Sequence, residues 1–169
     1  MRVSPLAAFA VALFAPSATV LVAHAQVPDA VAAPGEILVA TIHAEGAQVY
    51  DCKADAGGKL SWQFREPIAT LVVDGKTVGR HYAGPSWELT DGSIVVAKVS
   101  GRAPAATPRD IPLLKLEVTA HRGAGGFTGV TTIQRLNTKG GVADGACERA
   151  GGFLSVPYAA DYTFLKKGG

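Results

Sequence analysis

His81, Glu88 and Asp91 fall within eleven residues, with Tyr82 and Trp87 between them. A histidine and a carboxylate held opposite each other would make a general acid/base pair. The same residues would also suit a polar grip on a ligand, with Trp87 as a stacking wall. Either use requires two strands around Gly84-Pro85 that bring His81 across from Glu88. His81, Glu88 and Asp91 are therefore the catalytic candidates, and His81, Tyr82, Trp87 and Glu88 the first ligand-binding candidates. The plainer alternative makes His81 a hydrogen-bonded structural histidine and Asp91 the turn residue its Asp-Gly context predicts. Trp87 is expected mainly in the core, with His81 and Glu88 partly exposed at one end of the domain.

Other chemistry has weaker support. Ser86 and Ser93 lie near His81 and Asp91, but no GxSxG elbow accompanies them. His43, His81 and His121 each end a strand-like run, and three strand ends at one rim would make a His₃ metal site. No HxH or HExxH spacing supports that, so no metal is expected. In the closing segment, Tyr158, Ala160 and Tyr162 alternate onto one face and Ala159, Asp161 and Thr163 onto the other. Tyr158 and Asp161 join the ligand-binding candidates, although the favoured role is a Tyr pair packed in or near the core with Asp161 bonded to a loop. Arg135 and Asn137 read as turn fasteners.

The elements that must position these residues read as strands. Apolar or alternating runs occur at 37–43, 46–52, 60–65, 68–73, 77–82, 85–89, 93–100, 111–121, 127–135 and 153–165. Gly-bearing turn signals separate them, of which Asp74-Gly75 and Asp91-Gly92 suit tight hairpins. The longest helical candidate, Asp110–His121, contains Pro112 and alternates better as a strand. About ten short strands in one chain predict an all-β, single-domain antiparallel β-sandwich, with a small β-barrel as second choice. The domain is expected over 36–165, after a flexible linker at 26–35 and before a short tail at 166–169.

The amino terminus predicts export. Met1-Arg2 precedes an apolar run over 6–15, and Ala23-His24-Ala25 is a small-x-small cleavage site that would leave Gln26 first. Residues 5–23 approach membrane-spanning length, but Pro5 and Pro16 interrupt them, so no stable membrane insertion is expected after cleavage. Of 16 basic residues Arg2 leaves with the signal, so 15 face 14 acidic ones. That balance excludes a strongly basic nucleic-acid binder. In an oxidising compartment, periplasmic or extracellular, Cys52 and Cys147 are the one intramolecular pair available. Their bridge would close a loop of 96 residues, where chain entropy allows up to about 4–5 kcal/mol.

Several stretches together resemble a known family. They are Gly79-Arg80-His81-Tyr82-Ala83-Gly84-Pro85-Ser86-Trp87-Glu88 with Asp91-Gly92-Ser93, then Ile133 to Gly141, Cys147, and Val156-Pro157-Tyr158-Ala159-Ala160-Asp161-Tyr162-Thr163-Phe164. The chain is similar over about 36–165 to exported bacterial and fungal proteins known only as a domain of unknown function. The resemblance implies an exported all-β domain and no mechanism. Some members carry names such as malate dehydrogenase, yet this chain has no Gly-rich dinucleotide fingerprint between a strand and a helix. No cofactor is expected. A rigid β scaffold with loop-borne aromatics and few convergent ionisable groups favours non-catalytic binding of a small molecule, a glycan or an envelope component. The alternatives are a secreted enzyme using His81 with Glu88 or Asp91, and a purely structural envelope protein.

Overall fold

The computed structural model describes residues 27–168. The expected signal peptide at 1–25, and the start at Gln26, lie outside the described residues. Eight strands follow a short 3₁₀ turn, Asp29–Val31. They are β1 (Glu36–Ala54), β2 (Leu60–Val73), β3 (Lys76–Tyr82), β4 (Ser86–Leu89), β5 (Ile94–Ala103), β6 (Leu113–Arg122), β7 (Thr132–Gly140) and β8 (Phe153–Lys167). Each pairs antiparallel with the next, and β8 returns to β1 over Glu36–Asp51, closing one sheet on itself. The all-β antiparallel expectation holds, and the strands take the closed arrangement rather than two stacked sheets.

Ten expected runs become eight strands because two apparent breaks lie inside strands. Gly46 pairs with Ala69, and a Cβ there would run into Ile68 O and Ala69, so this glycine permits close approach rather than a turn. Pro67 pairs with Gln48 in a part of β2 that has no β3 neighbour, since β3 joins only from Ala69 onward. A proline is tolerated there because one side of the strand has no ladder to complete. The register also slips by one residue between Val49 and Tyr50, leaving Arg65 as an extra residue in β2. The Asp74-Gly75 hairpin forms with both residues left-handed, at φ 49° and 73°.

Alternation divides the wall into two faces. Ile42, Ala44, Leu71, Val95, Leu116, Ile133, Ala160 and Phe164 enter the buried core. Arg80–Glu88, Lys98–Glu117 and His43–Asp161 pairs stand on the outside. Apolar inside and charged outside is the reverse of the order in a membrane-spanning barrel. No helix among the described residues is long and apolar enough to cross a membrane.

The two ends of the barrel differ. At the end carrying the β2–β3, β4–β5 and β6–β7 connections, Phe127 is fully buried against Phe164, with ring centroids 4.4 Å apart. Asp91 holds that plug in place. Its Oδ1 accepts from Ser93 N and Oγ, and its Oδ2 accepts from Gly126 N at 2.7 Å. The expected strand at 127–135 therefore starts later, at Thr132, because the residues before it form the plug. The segment expected as a flexible linker is packed instead. Val31 is buried, and Gln134 Nε2 and Lys115 Nζ donate to the Val31 and Ala32 carbonyls. At the other end, Cys52 and Cys147 are bonded and fasten the β7–β8 loop to β1, with Tyr50 Oη donating to Gly141 O beside them.

Candidate functional site

The β3–β4 hairpin decides where the sequence candidates go. His81 pairs with Trp87 and Arg80 with Glu88, so His81 and Glu88 fall on opposite faces of the wall. Glu88 is outside, where Arg80 Nη2 donates to it at 2.8 Å and Tyr82 Oη at 3.1 Å. Those two hydrogen bonds, with Arg80 the stronger influence, hold its carboxyl below the usual range. Asp91 sits at the plugged end, where Ser93 and the Gly126 amide keep its pKa low. The pairing of His81 with Glu88 is thus not assembled because the two fall on opposite faces of the wall, and that with Asp91 because Asp91 belongs to the turn at the plugged end.

His81 is also more buried than expected. It is 3% exposed and stacks on Trp87, with centroids 4.3 Å apart and planes 11° from parallel. Tyr162 meets the imidazole edge-on at 4.9 Å. Nδ1 donates to Ser86 O at 2.8 Å, which leaves Nε2 as the acceptor nitrogen of a neutral ring. Burial, with a lesser push from the Arg135 charge, lowers the His81 pKa to about 3. It is uncharged at neutral pH.

The other histidines lie elsewhere. His43 Nδ1 is 2.7 Å from Asp161 Oδ1 on the outer face, and His121 Nε2 donates to Val130 O. Among the described residues no three His, Cys, Asp or Glu side chains gather as a metal site. Asp161 also accepts from Asn137 Nδ2, so it fastens β8 to the bend in β7. Tyr158 points the other way and is buried, with its hydroxyl 3.4 Å from that of Tyr162. Burial raises the pKa of both phenols, so both remain protonated.

Above His81 and Trp87 the barrel is hollow. A cavity of about 490 Å³ opens at the end bearing the β1–β2, β3–β4, β5–β6 and β7–β8 connections. Its walls are largely apolar, with Pro67, Pro85, Val99, Ile111, Leu114 and Leu116 among them. Phe64 and Tyr50, in edge-on contact at 5.8 Å, flank the mouth. Of the ligand-binding candidates, His81 and Trp87 line this space, while Tyr82, Glu88, Tyr158 and Asp161 do not.

The polar lining contains residues that sequence reasoning assigned no binding role. Arg135 enters from β7, and its Nε and Nη2 donate to Pro112 O at 3.1 and 2.9 Å. Gln48 enters from β1 and is 2% exposed; its Nε2 lies near the Tyr158 hydroxyl without making a well-formed hydrogen bond to it. Arg65 and Arg102 complete the charged lining. Arg65 is engaged with Glu66 and Asp51 and lies over the Phe153 ring. A signal for Arg135 existed in the alternation, since it shares the face of Ile133, two residues earlier in an apolar strand.

No curated protein and no solved structure matches the chain. A family model described as "Protein of unknown function (DUF3455)" matches residues 33–166, a span that contains every strand but the last residue of β8 and every cavity residue, and the chain belongs to that family.

Proposed function

We propose that this protein is an exported binding domain that holds one small, mostly apolar molecule in the open half of its barrel without transforming it. The carrying observation is the cavity of about 490 Å³, within the size range of small-molecule sites and walled mainly by apolar side chains. One plugged end and one open end give a blind pocket, as an eight-stranded wall wide enough for one small ligand allows. The neutral, stacked His81 supports binding rather than acid/base catalysis, because no carboxylate lines the cavity beside it. Trp87, 1% exposed, forms part of the floor rather than an open platform, which favours a compact ligand over a glycan. The Cys52–Cys147 bridge fits an oxidising compartment and supports a periplasmic or extracellular setting.

The test is a fluorescence titration with N-phenyl-1-naphthylamine, a neutral apolar probe. The native protein should bind it at one site per chain. Val99→Trp, which thickens the mouth from β5, should weaken binding at least tenfold while the melting temperature stays within a few degrees. Absence of saturable binding, or unchanged binding in Val99→Trp, overturns the reading.

A further inference from the structure

Every formal charge in the cavity lining is positive. Arg65, Arg102 and Arg135 line it, and among the described residues no aspartate or glutamate does. Arg65 is satisfied by Asp51 and Glu66, but no carboxylate lies within ion-pair distance of Arg135 or Arg102 among the described residues. Arg102 is exposed at the rim, whereas Arg135 is half-buried inside. Among the described residues the Pro112 carbonyl takes its Nε and Nη2 together, and the Tyr162 hydroxyl is the other oxygen within its reach. A guanidinium carries five N–H donors, so even with two on Pro112 O and one toward Tyr162, two are left without a protein acceptor. A cation drawn out of water without an opposing charge is costly, and the usual resolution is a counter-ion.

A second, independent observation points the same way. Four buried side-chain polar atoms lack a hydrogen-bond partner among the described residues: Glu36 Oε2, Gln48 Nε2, Trp87 Nε1 and Thr138 Oγ1. The two that belong to cavity residues, Gln48 Nε2 and Trp87 Nε1, are both donors. The cavity therefore combines an uncompensated cation with unsatisfied neutral donors inside an apolar wall. Orphaned buried donors are uncommon in folded proteins and call for an acceptor.

Resting on the binding role proposed above, we infer that the ligand is an amphiphilic monoanion whose carboxylate is held by Arg135 with help from Gln48, while its apolar body fills the space between Val99, Ile111, Leu114 and Leu116. A planar carboxylate matches the guanidinium fork and takes two parallel N–H bonds. The single internal arginine suits one negative charge better than a phosphate dianion. His81, neutral and aromatic, serves as part of the apolar floor rather than as a second cation.

The experiment compares dodecanoate with 1-dodecanol, which share a chain and differ in the head, each displacing N-phenyl-1-naphthylamine from the full mature chain. Dodecanoate should bind at least tenfold more tightly, in line with a hydrogen-bonded charge in a partly dry site. Arg135→Gln should abolish that preference, so that acid and alcohol displace the probe with equal affinity. Arg135→Lys should retain part of it, and Gln48→Leu should reduce it by a smaller factor. Equal binding of acid and alcohol by the native protein overturns the anion assignment and leaves the apolar pocket standing. A preference that survives in Arg135→Gln also overturns it, by placing the anion on another residue. Failure of the probe to bind is a different result and removes the pocket reading itself. Should Arg135→Gln not fold, the native comparison and Arg135→Lys still decide.

Discussion

At the residue scale, His81 links stability to pH. The unfolded chain takes up a proton on this imidazole near 6.5, whereas the buried ring does so only at about 3. Between those values the unfolded state binds the extra proton, so acid favours unfolding. Stability from this group is complete above the unfolded value, declines as pH falls through 6.5, and stops declining below the folded value. At one pKa unit per 1.36 kcal/mol, the loss at pH 4 is roughly 3 kcal/mol. Denaturation at pH 7 and pH 4 should show a larger drop for the native protein than for His81→Gln, which can still donate to Ser86 O. The lowered carboxylates Asp51, Glu88, Asp91 and Asp110 titrate in both proteins and cancel in the difference. Equal drops would mean that the imidazole is hydrated in solution. The same residue shows how far local pattern reaches. His81 and Trp87 could be singled out because a polar aromatic and a tryptophan flank a Gly-Pro turn. That Glu88 leaves the site depended on one register step, His81 opposite Trp87, which the turn length alone leaves open.

At the element scale, the strands were largely readable and their ends were not. Period-2 alternation identifies β5, β6 and β8 directly, because one face is mainly apolar and the other carries the polar and charged residues. Gly46 and Pro67 resemble punctuation, yet one allows close packing and the other sits where β2 lacks a second neighbour. Those are tertiary conditions. The cysteine pair, by contrast, followed from compartment and count, and it joins β1 to the β7–β8 loop with Cα atoms 5.7 Å apart. Backbone bonds run alongside it, from Cys52 N to Gly152 O and from Gly151 N to Cys52 O. The Cys52→Ala/Cys147→Ala protein should retain the barrel, since none of the strand pairings depends on the bridge. It should be less stable by about 2–5 kcal/mol, the usual consequence of removing a native bridge. Urea denaturation of the two proteins measures this; a difference below half a kcal/mol would show that the neighbouring backbone bonds suffice to order the loop in both states.

At the scale of the whole molecule, sandwich and barrel share strand count, turn spacing and alternation. What separates them is the β1–β8 pairing, a contact between the two ends of the domain that no local pattern encodes. Closure creates one continuous wall, but its contents are uneven. One half is filled by Trp87, Phe127, Phe164 and Ile133, and the other holds the cavity. Local opening free energy follows buried contact, so the two halves should differ in hydrogen exchange. Amides of β4, β5 and β7 beside the filled half should exchange only through global unfolding. Those of β2 around Phe64–Pro67 and of the β5–β6 connection, which border the mouth, should exchange through smaller openings. An occupant of the cavity supplies the missing contacts, so a saturating ligand should slow the mouth amides most. The filled half should gain only the increase in global stability. Mass-resolved exchange with and without N-phenyl-1-naphthylamine measures both patterns. Uniform protection around the ring before ligand is added would contradict the unequal filling, because a hollow half with the stability of the packed half would have no physical basis in these contacts.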